Sequence, residues 1–274
     1  MLSGGRAARS FATTRGGEHM GYDPGAFCWA GLATSDPDGA KAFYESLFEW
    51  QNEDLPAGQF GTYTSLRRDG SEVAILYRQT REARAARAAP HWTPYVSVED
   101  ADASALRARE LGGTLLREPL DLGDAGRVVA LWDPVGAIFS LWQPRSHSGA
   151  EFVNDLGALC WHELATLDLD RAKSFYGKLL GWEYETDSSG YTTVTNAGSP
   201  IGTIRERREE EDVSASSWIP SFGIESVQRT QQTAERSGGR TMTAPADSPI
   251  GRTALLADPQ GATFAVLDQP AREH

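Results

Sequence analysis

Between Phe27 and Thr34 the side chains alternate, with Trp29, Gly31 and Ala33 on one side and Cys28, Ala30, Leu32 and Thr34 on the other. A period of two marks a strand with two distinct faces. Asp36 then stands where it can cap a helix, and Ala40, Phe43, Tyr44, Leu47 and Phe48 recur at spacings of three and four, an apolar stripe along one helical face. A strand followed by an amphipathic helix is therefore predicted, and the same pattern returns further along. Residues 26–50 read AFCWAGLATSDPDGAKAFYESLFEW and residues 158–182 read ALCWHELATLDLDRAKSFYGKLLGW, identical at 14 of 25 positions without a gap, which chance does not produce. Cys28 and Cys160, Tyr44 and Tyr176, and Trp50 and Trp182 are each 132 apart, so the repeating unit is about half the chain and the protein is a tandem duplication.

The rest of each half follows the same logic. TYTSLRR from Thr62 and EVAILYR from Glu72 flank the turn pair Asp69-Gly70, which predicts a hairpin. The charged, alanine-rich residues 78–89 read as a solvated connector. HWTPYVSVED predicts a strand, ADASALRAREL a helix ending at Gly112-Gly113, and the run through DPVGAIFSLWQP a closing hairpin. In the second half YTTVTNAGSPIGTIRE, RERREEED, SWIPSFGIES, Gly238-Gly239 and DPQGATFAVLDQP answer these in order. The expected organisation is a disordered leader over residues 1–20, one domain over 21–145, a linker over 146–156, a second domain over 157–270 and a tail over 271–274.

A strand, an Asp, a helix carrying Phe-Tyr and ending before Trp, and a late hairpin containing DPxG together resemble the glyoxalase, bleomycin-resistance and extradiol-dioxygenase superfamily, also called vicinal oxygen chelate proteins. Here the elements read DPDGAKAFYESLFEW and DLDRAKSFYGKLLGW, and the likeness spans residues 26–270. It implies an α+β fold: two tandem glyoxalase-like domains, each of two βαβββ units, with curved mixed sheets around clefts and a pseudo-twofold axis between the halves. Function is left open, because this fold hosts lyases, dioxygenases, isomerases and drug-binding proteins.

Composition narrows the partners. The net charge of −12 argues against nucleic acid, whose phosphates need a concentrated basic face. No apolar run approaches the roughly 18 residues of a membrane span. Cys28 and Cys160 are expected as buried thiols in separate cores rather than as a disulfide, and nothing implies an oxidising compartment, so the expected location is the cytoplasm.

The resemblance also implies where a metal would sit. Metal-binding members take ligands seven residues before the motif Asp and seven after the Asp of DPxG, which here are Trp29, Ser140, Trp161 and Ala265; the first strands of the second and fourth units supply Thr93 and Ile219. None is His, Asp or Glu, the donors that zinc, iron or nickel require. Of five His, His19 and His274 lie near the ends and His147 in the linker; His162 alternates away from Trp161, and His91 shares the parity of Thr93. No metal and no cofactor is expected, and GxSxG, Walker and CxxC motifs are absent.

The same positions favour a hydrophobic aromatic small molecule. Trp29, Trp142 and Trp161 are expected to line the clefts, with Gly31, Thr93, Tyr95 and Ser140 beside them. Glu163, where the other half has Gly31, is the candidate catalytic or ligand-binding acid, or else a carboxylate paired with an arginine such as Arg252. Metal-independent binding of an antibiotic or other secondary metabolite is the leading expectation. The alternative is a glyoxalase-like lyase or a hydroxylase or oxygenase acting on such a compound. A biosynthetic enzyme is a candidate partner, and the chain is expected as a monomer or homodimer.

Overall fold

The computed structural model describes residues 14–15, 18–19, 21–58, 61–188, 190–207 and 216–269. Ahead of the body, Thr14–Arg15 pairs antiparallel with Glu18–His19; the other residues of the expected leader, the tail and part of the charged RERREEED segment lie outside the described residues.

The first half runs β1 (Phe27–Thr34), α1 (Pro37–Phe48), β2 (Gln51–Pro56), β3 (Thr62–Arg68), β4 (Ser71–Arg78), α2 (Arg81–Ala85), β5 (His91–Ser97), α3 (Ala101–Glu110), β6 (Thr114–Leu115), β7 (Leu120–Leu122), β8 (Gly126–Trp132) and β9 (Ile138–Pro144). Its strands form one mixed sheet in the order β2-β3-β4-β1-β5-β9-β8-β6, with β7 beside β8. The second half runs β10 (Leu159–Thr166), α4 (Leu169–Leu180), β11 (Glu183–Thr186), β12 (Thr192–Asn196), β13 (Ser199–Glu206), β14 (Ser217–Ile224), α5 (Val227–Arg236), β15 (Arg240–Ser248), β16 (Gly251–Ala257) and β17 (Thr263–Asp268). Its sheet order, β11-β12-β13-β10-β14-β17-β16-β15, repeats the first. The expected α+β fold of two duplicated halves is thus present. One detail differs: the connector after β4 forms the short helix α2, capped by the Thr80 side chain and burying none of its residues.

The motif Asp residues work as the sequence predicts. Asp36 accepts from the backbone N–H of Gly39 at 3.2 Å and Asp168 from that of Arg171 at 3.0 Å, each satisfying a donor in the first turn of its helix. The helices end differently. Gly181 closes α4 at φ 74°, whereas α1 closes on Glu49 at φ 59°, a left-handed conformation in which a side chain is strained.

The expectation of a separate core in each half is corrected. The buried apolar side chains form two large clusters, and both draw on both halves. One joins Phe27, Tyr95 and Phe139 to Trp161, Tyr176 and Trp218; the other joins Leu32, Tyr44 and Trp92 to Phe222, Leu256 and Phe264. Cys28 and Cys160 accordingly share a cluster; both are buried free thiols. The physical reason is reciprocal docking: Phe43 and Tyr44 of α1 pack on Phe264 of β17, while Phe175 and Tyr176 of α4 pack on Phe139 of β9. Each first helix packs on its own sheet and on the other half's, Tyr44 against Trp92 and Phe264 and Tyr176 against Trp218 and Phe139.

Candidate functional site

On the helix-free face of the first sheet, register brings Trp29 beside Tyr95, Gly31 beside Thr93 and Ile75, and Tyr95 beside Ser140. Trp29 is not an open platform. Its ring meets Tyr95 at 5.3 Å, Trp142 at 5.7 Å and His147 at 4.6 Å between centroids, and it is buried. His147 comes from the segment after β9, which crosses this end of the sheet. Its carbonyl accepts from Trp142 Nε1 at 3.0 Å, its Nε2 lies 3.0 Å from Glu72, its Nδ1 accepts from the Gly149 N–H at 3.1 Å, and the Ala150 N–H donates to the Cys28 carbonyl at 2.8 Å. Nδ1 as acceptor fixes Nε2–H as the donor to the Glu72 carboxylate. Glu72 is buried and also accepts from Ser65 Oγ at 2.5 Å.

Deeper on this face Tyr77, Tyr95, Thr93 and Ser140 gather their hydroxyls, and Thr93 Oγ1 is buried without a hydrogen-bond partner. Burial is the main cause that pushes both phenols up, so both remain neutral O–H groups. Gly31 is closely packed: a Cβ there would stand 3.2 Å from each of these two rings and 3.3 Å from Ile75, so those side chains would have to give by a few tenths of an ångström.

The equivalent face of the second sheet has different chemistry. Trp161 Nε1 donates to Thr203 Oγ1 at 3.2 Å. Glu163 accepts from Arg205 Nε at 2.8 Å, with side chains 27% and 18% exposed, so the pair sits at the boundary between sheet and solvent. The expected partner Arg252 is corrected: it pairs with Asp247 at 3.1 Å, whereas the parallel register of β10 and β13 sets Ala165 opposite Arg205, one pleat from Glu163. Beside the ion pair lies a small apolar patch of Ala165, Ile219 and Ala265, flanked by Leu255. Where the first face carries Tyr77, Tyr95 and Ser140, the second carries Arg205, Ser221 and Ala265, so its floor is built of shorter side chains and one ion pair.

His162 and His91 are structural in their contacts. His162 is fully buried on the helix side, stacked on Phe27 at 3.9 Å, and burial holds its imidazole down at about 3. His91 Nδ1 lies 2.9 Å from the Ala89 carbonyl, and burial lowers its pKa. The residues at the implied ligand positions, Trp29, Thr93 and Ser140 on one face and Trp161, Ile219 and Ala265 on the other, do not fit a zinc or iron centre. Among the described residues no three His, Cys, Asp or Glu side chains group as metal ligands. His147 is among the site residues that sequence reasoning misses, with Glu72, Tyr77, Thr203 and Arg205, since its polar setting gives no sign that it packs on Trp29.

Residues 26–141 match the Glyoxalase/Bleomycin resistance protein/Dioxygenase superfamily and residues 161–267 match a Glyoxalase-like domain. The chain belongs to the glyoxalase/bleomycin resistance protein/dioxygenase superfamily. Within that superfamily it is 34% identical over 252 residues to "Putative glyoxylase CFP32" of Mycobacterium tuberculosis, covering 90% of this chain and 95% of the relative. It is 31% identical over 262 residues to "Anthracycline biosynthesis protein DnrV" of Streptomyces peucetius, covering 90% and 94%. Among solved structures, the Mn(II)-bound glyoxalase from Novosphingobium aromaticivorans superposes with TM-score 0.59 at 14% identity, covering 89% of this chain and 82% of that one. The 2,3-dioxygenase LapB from Pseudomonas sp. KL28 gives 0.59 at 15%, covering 93% and 94%. At such identities the superpositions establish the superfamily fold and nothing finer.

Proposed function

We propose that this protein binds a flat, largely apolar aromatic small molecule without a metal, in the making or handling of an antibiotic-type secondary metabolite. The observation that carries the reading is the replacement of metal donors by Trp29 and Trp161 at equivalent positions of the two sheets. The name of the Streptomyces peucetius relative supports the ligand class, since anthracyclines are polycyclic aromatic compounds. A ring laid against such a surface gains burial at roughly 25 cal/mol per Å² and about 0.5 to 1.5 kcal/mol from ring geometry. In the second half, Glu163 and Arg205 supply a polar anchor beside an apolar patch, the mix of a few polar groups and apolar lining that small-molecule sites use.

A second reading, a lyase or oxygenase acting on such a compound, draws on Glu163 as a partly exposed carboxylate and on the glyoxylase name of the mycobacterial relative. Glu163→Gln separates the two. The amide still accepts a hydrogen bond but takes no proton. Binding of an anthracycline aglycone retained in this variant, with no turnover by the parent protein, supports the binding reading. Turnover that is lost in the variant while binding persists supports the enzyme.

A further inference from the structure

Trp29 and Trp161 hold the same strand position in the two sheets, yet their indole N–H groups meet different fates. Trp161 Nε1 is satisfied by Thr203 Oγ1 at 3.2 Å. In the first sheet the residue in the place of Thr203 is Ile75: Glu163 pairs with Thr203 across β10 and β13, and Gly31 pairs with Ile75 across β1 and β4. An isoleucine accepts nothing, and Trp29 Nε1 is buried without a partner. Two neighbours are already committed: Trp142 Nε1 gives its proton to the His147 carbonyl, and the His147 ring is held by Glu72 and Gly149, whereas Thr93 Oγ1 on the same face is, like Trp29 Nε1, buried without a partner. Most buried polar groups in folded proteins are paired, and a donor left open where its twin is satisfied points to an acceptor from outside the chain.

We infer that Trp29 Nε1 is a hydrogen-bond donor to a neutral carbonyl oxygen of the aromatic ligand, an aryl ketone or quinone, bound against the first sheet. This rests on the reading of the protein as an aromatic-ligand binder and assigns the ligand's functional group. The surroundings select that group. Tyr77 and Tyr95 are neutral phenols, and Gly31 leaves out the carboxylate that Glu163 contributes in the other half. With the Glu72 carboxylate taken up by His147 and Ser65, this end of the site offers uncharged donors and aromatic rings, which suit a carbonyl on a flat ring system. The two halves have diverged into a carbonyl-reading face and an ion-pair face.

The test uses the full chain and a matched pair of probes, 9-fluorenone and fluorene, which share a ring system and differ in the carbonyl oxygen. The parent protein is expected to bind fluorenone about tenfold more tightly than fluorene by isothermal titration calorimetry. Trp29→Phe, which keeps an aromatic ring and removes the donor, is expected to bring the two affinities within about twofold of each other; Trp161→Phe is expected to leave their ratio at about tenfold. In the parent protein labelled with ¹⁵N at its tryptophans, the Trp29 indole N–H resonance is expected to move on adding fluorenone and to hold on adding fluorene. An unchanged preference in Trp29→Phe, or a Trp29 resonance indifferent to fluorenone, overturns the inference and indicates an internal water on the indole, with the binding reading intact. Failure of both probes to bind the parent protein overturns the inference and the binding reading together.

Discussion

The Tyr44 hydroxyl, on the first helix of one half, donates at 3.1 Å to Asp258, in the closing hairpin of the other, and itself accepts from Trp92 Nε1 at 2.9 Å. The duplicate arrangement is present on the other side: Tyr176 donates to Asp133 at 2.9 Å and accepts from Trp218 Nε1 at 2.8 Å. The Phe-Tyr and DPxG motifs are therefore two ends of one buried latch, made twice. Tyr44→Phe leaves the Trp92 N–H without its acceptor and Asp258 without one donor, and it is expected to cost roughly 1 to 3 kcal/mol of unfolding free energy in urea. A cycle with Asp258→Asn is expected to show coupling, whereas a cycle pairing Tyr44→Phe with Asp133→Asn is expected to be additive.

The halves should also respond to acid through His162. Its imidazole is held at about 3 by burial, against an ordinary 6.5, so the unfolded chain takes up a proton that the folded one refuses between those values. Stability from this group is complete above pH 6.5 and falls as the pH drops toward 3, by up to about 1.4 kcal/mol per pH unit. Asp133 and Asp258 act in the opposite sense: burial raises both, so their charge penalty is relieved as the pH falls through their raised values. In His162→Phe, which retains a ring to stack on Phe27, the slope of stability between pH 6.5 and 3 is expected to flatten; an unaltered slope assigns the acid loss elsewhere.

Much of this architecture is legible in the chain because it is local. The alternation around Trp29 and Trp161, the capping Asp36 and Asp168, and the repeat itself specify strands and helices within a few residues of each signal. The partners across the molecule are not legible. Tyr44 and Asp258 are 214 residues apart, and neither motif states that α1 packs against the other half's sheet, which is why separate cores are expected and shared ones are found. Glu163 shows the same limit on a smaller scale. Alternation places it on the helix-free face, but the choice of Arg205 over Arg252 depends on the register of β13 against β10.

Glu49 offers a test of local strain. It occupies a left-handed position at φ 59° where the duplicate helix has Gly181 at φ 74°. Its contact with Arg68 is an exposed 3.6 Å ion pair, of the kind that contributes little. Glu49→Gly is expected to raise thermal stability by roughly 0.5 to 1 kcal/mol, and Gly181→Ala to lower it by a similar amount.

Metal content follows from the donor positions. Protein purified without chelator is expected to carry zinc, iron, nickel or manganese well below one atom per chain by elemental analysis, and EDTA is expected to leave its melting temperature unchanged. One tightly held metal per chain contradicts the metal-free reading.

Titrating the protein with an anthracycline aglycone in a calorimeter measures whether an aromatic ligand binds on the helix-free sheet faces. Saturable binding is predicted, and Trp161→Ala is predicted to weaken it by roughly 1 to 3 kcal/mol through lost burial and ring contact. Absence of saturable heat with the parent protein, or an affinity that Trp161→Ala and Trp29→Ala both leave unchanged, contradicts the account.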